Sequence, residues 1–180
     1  MKRTILSFTL IVATTLLFAQ KKTTTSAIIN FDATTILDNL PKAENKTVIA
    51  SLDTKIGELA FEASIKNFAF SNPRIQGHFN NATWMDSDKF PTSTFTGTIT
   101  NLKSVNFAKD GKYNAEVKGD LTIHGITKSI ETAGTITVIG KTINATAEFS
   151  IKLEDYGVNG PAIGAGKVAK DPKITIAADF

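Results

Sequence analysis

The sequence predicts an all-β protein, an eight-stranded antiparallel up-and-down barrel with a short helical segment near one end. Three observations carry that expectation. Apolar and polar residues alternate with a period of two through most of the chain after residue 20, the pattern of half-buried strands. Short turn sequences separate consecutive runs, and short links force antiparallel neighbours. Roughly eight such runs occur, the number that closes a small barrel around its own side chains or one ligand.

The runs follow in order. Ala27–Ala33 and Thr47–Asp53 are two weaker candidates. Glu58–Lys66 places Leu59, Phe61, Ala63 and Ile65 on one face, and Thr94–Leu102 places Phe95, Gly97 and Ile99 opposite a row of threonines. Tyr113–Ile123 aligns Ala115, Val117, Gly119 and Leu121. Ser129–Val138 aligns Ile130, Gly134 and Ile136; Thr142–Leu153 aligns Ala145, Ala147, Phe149 and Ile151. Lys173–Phe180 closes the chain with Ile174, Ile176 and Ala178 in phase. The expected turns are Thr54–Gly57, Lys109–Lys112, His124–Lys128 and Ile139–Lys141.

Ser71–Ser93 has no period of two. Asn72 is a candidate N-cap and Pro73 a first helical residue, so a short helix or two with a loop should lie across one barrel end. Trp84, Met85 and Phe90 are its candidate lid residues.

The first residues read differently. Met1-Lys2-Arg3 is positive, Ile5–Phe18 is apolar and uncharged, and Ala19 offers a small residue at a cleavage position. Residues 1–19 therefore read as a secretory signal peptide, and 20–180 as one domain in the periplasm or outside the cell, with no stable membrane anchor after cleavage. The chain has no cysteine, which removes disulfides, a thiolate nucleophile and thiolate metal sites. Without Lys2 and Arg3, 18 Lys+Arg face 17 Asp+Glu, a formal charge of +1 and no electrostatic footprint for nucleic acid.

The inward face of the barrel supplies the candidate ligand-binding residues: Leu59, Phe61, Ile65, Phe95, Ile99, Val117, Leu121, Ile136, Phe149, Ile151, Ile174 and Ile176. Between them stand very small residues, among them Ala63, Gly97, Ala115, Gly119, Gly134, Ala145, Ala147 and Ala178. Interiors pack to crystal-like density, so either large neighbours or an apolar ligand must fill the space those residues leave. No inward position carries an acid or base, so a cavity here suits a hydrocarbon rather than a polar metabolite.

Catalytic chemistry finds little support. The two histidines, His78 and His124, lie in no metal-ligand spacing, although Asp86, Asp88 or Asp120 are acids that could be recruited. No G-x-S-x-G is present. Glu154 and Asp155 in "LEDYG" read as a solvated strand end. "NGPAIGAGKVAKD" (Asn159–Asp171) only superficially suggests a phosphate loop, because Val168 stands where Ser or Thr must hold magnesium. It reads as a flexible loop at a barrel mouth, and no cofactor or metal is expected.

"GDLTIHGITKSIE", from Gly119 to Glu131, resembles the hairpin of the YceI-like family of exported lipid- or polyisoprenoid-binding proteins. "DSDKFPTSTFTGTI", "FSIKLEDYG" and "DPKITIAADF" resemble further stretches of that family in the same order. Ser26–Ile65 departs from it, and Leu153 stands where members often carry arginine. The resemblance implies a lipocalin-like barrel whose apolar pore holds a long isoprenoid chain, such as that of a quinone, or another lipid. The sequence thus offers a non-enzymatic lipid or isoprenoid binder, a structural or stress-related exported barrel with a filled core, and an enzyme built on His78 or His124.

Overall fold

A computed structural model describes residues 21–180; the segment 1–19 read as a signal peptide lies outside the described residues. Eight long strands follow one another around a closed wall: β1 (Lys21–Asp32), β2 (Lys42–Asp53), β3 (Glu58–Ser64), β5 (Thr92–Ile99), β6 (Gly111–Ile123), β7 (Ile126–Ile139), β8 (Thr142–Ser150) and β9 (Lys173–Asp179). A two-residue strand, β4 (Ala69–Phe70), pairs with the start of β2 at Ala43 and Glu44. Every pairing is antiparallel, and β9 returns to β1 through Asp32↔Lys173, which closes the barrel.

β1 and β2 are longer than the alternation predicts, by six residues at the start of β1 and five at the start of β2. Irregularities between Thr24 and Ala27 and between Ala27 and Ile29 explain why. Bulges of this kind put two successive residues out of phase and bend the strand. They let β1 pair with β2 along its length while turning its far half onto β9. Conversely, Thr142–Leu153 ends as a strand at Ser150: Leu153–Tyr156 is a 3₁₀ turn.

The predicted helix forms as α1 (Pro73–Asn80), with the Asn72 side chain accepting the Arg74 N–H and Pro73 in the first turn, where its missing N–H costs nothing. Its buried Phe79 sits among Phe31, Phe68 and Phe70, with ring centroids 5.9, 5.9 and 4.9 Å away. This aromatic cluster covers the barrel end that carries the long connections. The opposite end, with tight turns, is filled by Leu52, Ile99, Val105, Val138 and Ile143, with Leu102 and Phe107 against them.

The Asn159–Asp171 connection, expected to be a flexible loop, holds a helical turn, α2 (Pro161–Gly164), and is tied at 2.8 Å by the Ala169 N–H to the Ala33 carbonyl. "LEDYG" is likewise more than a solvated strand end. Glu154 and Asp155 are exposed, but Leu153, Tyr156 and Val158 are buried.

Candidate functional site

The alternating strands aim their apolar faces at a cavity of about 150 Å³. Its wall runs along β6 from Ala115 to Ile123, about 26 Å of strand at 3.3 Å per residue. Leu59, Phe61 and Ile65 from β3 and the turn after it, Phe95 from β5, and Val117 and Leu121 from β6 border it. So do Ile136 from β7, Phe149 and Ile151 from β8 and its end, and Ile174 and Ile176 from β9. Ile99 does not; it is buried with Leu102 and Val105 in the plug at the tight-turn end.

The small residues divide into two sets. Ala63, Ala115, Ala145 and Ala147 border the cavity, so the space their short side chains leave is open. Gly134 borders it too, but a Cβ there would meet the Thr146 carbonyl oxygen at 2.8 Å. Gly97 and Gly119 are opposite each other on β5 and β6, and the Phe95 ring lies over both. A Cβ would meet Phe95 Cζ at 2.6 Å from Gly97 and at 2.7 Å from Gly119. The glycine pair thus lets the ring lie flat against the wall and keeps it out of the lumen.

No lining residue is ionisable, and the polar residues of the wall are serine and threonine: Ser93 and Thr132 on the inward parity, Thr94, Thr135 and Thr146 on the outward one. Several large inward side chains, including Phe61, Phe95, Leu121 and Phe149, are only partly buried. Such a surface offers dispersion contacts and a few weak hydrogen bonds, and disfavours any charged group.

Of the three expected lid residues, Met85 borders the cavity and Trp84 and Phe90 do not. Trp84 packs on the connection after β8, its ring 3.0 Å from where a Cβ of Gly160 would stand. Phe90 packs edge-on against His124, centroids 4.7 Å apart. The lid residues that sequence reasoning missed are Phe31, Phe68 and Phe79. Phe79 follows Ile75 by four residues, the helical spacing that puts both on one face of α1, which was the available signal.

His124 opens the hairpin turn, as expected, but the turn is two residues long rather than five, because β7 already begins at Ile126. His124 and Gly125, with φ of 53° and 74°, form the two-residue turn between Ile123 and Ile126. Two positive φ angles are what a type I′ hairpin needs, and histidine tolerates that region better than most residues. His124 Nδ1 donates to the Tyr156 carbonyl at 3.1 Å, which places its proton on Nδ1. The hairpin tip is thereby tied to the 3₁₀ turn across the barrel rim. His78 is exposed on α1, and among the described residues no group of three or more His, Cys, Asp or Glu is placed to hold a metal ion.

Below that tie the wall parts. β7 pairs with β6 from Ile126 to Val138, but with β8 only from Gly134↔Ala147 onward. β8 continues to Ser150 with β9 alone. Lys128–Ala133 therefore has a strand on one side only, and Ile130, Thr132 and Phe149, beside this seam, border the cavity.

The model of the YceI-like domain matches residues 11–180, including the Ser26–Ile65 stretch that departs from the family's pattern. The chain belongs to the YceI-like family. An UPF0312 protein of Pseudomonas putida (strain W619) is 33% identical over 107 residues, 55% of this chain and 50% of that protein. A second, from Pseudomonas syringae pv. tomato, is 33% identical over 92 residues, 47% of this chain and 43% of that protein. The aligned part of the chain thus spans about half the length of these UPF0312 relatives. Among solved structures, a polyisoprenoid binding domain from Saccharophagus degradans superposes with a TM-score of 0.74 at 13% identity, over 89% of this chain and 97% of that one. Burkholderia cenocepacia BcnA follows at 0.67 and 14%, over 86% and 96%. At these identities the superpositions establish that the barrel fold is shared.

Proposed function

We propose that this YceI-like protein is an exported, non-enzymatic carrier that holds the chain of an amphiphilic lipid, a polyisoprenoid or quinone-type tail, in its barrel. The observation that carries this reading is a cavity bordered almost wholly by aliphatic and aromatic residues, with no ionisable residue in its wall. A structural neighbour described as a polyisoprenoid binding domain supports the ligand class. The apolar segment after Lys2-Arg3 supports export.

Affinity comes from removing apolar chain from water, about 0.8 kcal/mol per CH₂ buried. A few isoprene units then give micromolar binding after association costs. A dry apolar cavity of about 150 Å³ takes up a benzene-sized group, so a longer chain must displace Met85 and Phe79 or lie in the seam between β7 and β8. Thr132, of inward parity and beside the seam, suits a neutral polar head at its edge. A filled-core barrel would leave no such space.

Organic extraction of the protein purified from its native host, followed by mass spectrometry, tests the reading. A stoichiometric isoprenoid or other long-chain lipid is expected. Absence of any such lipid, together with no uptake of added isoprenoids, contradicts it.

A further inference from the structure

The loop between β1 and β2, residues 33–41, carries three large apolar side chains that the other described residues leave largely exposed. Ile36 is 103% exposed, Leu37 67% and Leu40 41%. The other large exposed apolar residues, Ile49, Ile56, Ile126 and Ile139, stand singly on separate elements. Scattered single residues are ordinary on a soluble surface; three within five positions at one tip are not.

This tip is ordered. Asp32 Oδ1 accepts the Thr34 N–H and hydroxyl, Thr35 Oγ1 accepts the N–H groups of Leu37 and Asp38, and Asp38 Oδ1 accepts that of Leu40. Ala33 N–H to Pro41 carbonyl, 2.9 Å, closes the base. Turn chemistry of this kind asks for Asn, Gly or Ser at the apex, not Ile-Leu. A local rule broken with no gain in the folded chain marks a surface kept for something else.

We infer that this loop inserts Ile36, Leu37 and Leu40 into the surface of a phospholipid bilayer and so sets the barrel end nearest the lid cluster against the membrane. The inference rests on the lipid-carrier reading, because it places the cavity beside the store of its ligand. Ile29 and Phe31, on the strand that leads into the loop, border the cavity. A second copy of the chain is a poorer occupant: three side chains on a convex tip cover far less than the about 800 Å² per partner of a stable dimer. Exposed Lys167 and Lys170 lie on the connection that packs against the loop, and neither is in the four ion pairs found among the described residues. They suit anionic headgroups, while Asp171 beside them keeps the charge modest, so apolar insertion dominates. Among the described residues no helix is long and apolar enough to cross a membrane.

Flotation of the purified protein with phosphatidylethanolamine–phosphatidylglycerol vesicles tests this, alongside the I36S/L37S variant. Both side chains are exposed, so the variant should keep the denaturation midpoint of the parent, and that is measured first. The expected result is at least a tenfold loss of vesicle-bound protein in the variant, with the same binding to both when tested on isoprenoid in detergent micelles. Equal flotation of both proteins, or flotation of neither, overturns the inference. So does a concentration-dependent dimer in sedimentation that the variant abolishes without any change in flotation. Failure of isoprenoid binding in micelles would instead count against the carrier reading, whatever the vesicles show.

Discussion

Gly97, Gly119 and Phe95 show how far single residues shape the lumen. A Cβ at Gly119 would stand 2.4 Å from the Thr96 carbonyl oxygen and 2.5 Å from Gly97 Cα, and backbone cannot move aside cheaply. Gly119→Ala is therefore expected to destabilise the protein by about 1–3 kcal/mol, the range for overpacking. The same substitution at Gly77, inside α1 with nothing within 4 Å of the added carbon, should instead stabilise by about 0.5–1 kcal/mol. Urea denaturation of the two variants checks the opposite signs. Asp32 gives a pH-dependent case. Hydrogen bonds from the Thr34 hydroxyl and N–H hold its carboxyl below the ordinary carboxylate range. Its contribution is complete above the unfolded pKa and is lost as pH falls through the lower folded value. Below about pH 4, Asp32→Asn should thus converge on the parent in thermal midpoint, while above pH 5 the parent should be the more stable. An equal gap at pH 3 and pH 7 would contradict this assignment.

Among the elements, β5 to β9 follow the alternation closely because each has one wet and one dry face throughout. β1 and β2 were only half legible: bulges near Thr24 and Ala27 break the period, and pairing with two neighbours is a tertiary fact. The lid was legible as a helix at Asn72-Pro73, but not as a lid. Which of Phe79, Trp84, Met85 and Phe90 meets the lumen depends on how α1 and the following turns dock, and no period encodes that. The seam was invisible in the same way, since Ser129–Val138 alternates regularly whether or not β8 lies beside it. It is also open to test. The chain has no cysteine, so a pair introduced at Ala133 and Glu148, the first positions past the end of the β7–β8 ladder, can be crosslinked cleanly. If ligand passes through the seam, oxidation should slow isoprenoid uptake at least tenfold and reductant should restore it. Equal rates in both states would direct the route to the lid end instead.

At the scale of the whole molecule, the ring of strands, the plug at the tight-turn end and the aromatic cover at the other leave an apolar volume that borders the seam between β7 and β8. The inward faces of β3 to β9 were readable as apolar from parity, and most of those residues border the cavity; Ile99 falls in the plug because it stands at the end of its strand. Whether the small residues faced space or neighbours was not readable. Gly97 and Gly119 face Phe95, whereas Ala115, Ala145 and Ala147 face the lumen, and only register separates them. That space is the centre of the functional account. Native mass spectrometry with a long-chain isoprenoid alcohol, on the parent and on an Ala147→Phe variant that fills the lumen, tests it most directly. The account predicts a one-to-one complex with the parent that is lost in a folded Ala147→Phe protein. A folded variant that binds as well as the parent, or a parent that binds nothing, would contradict it.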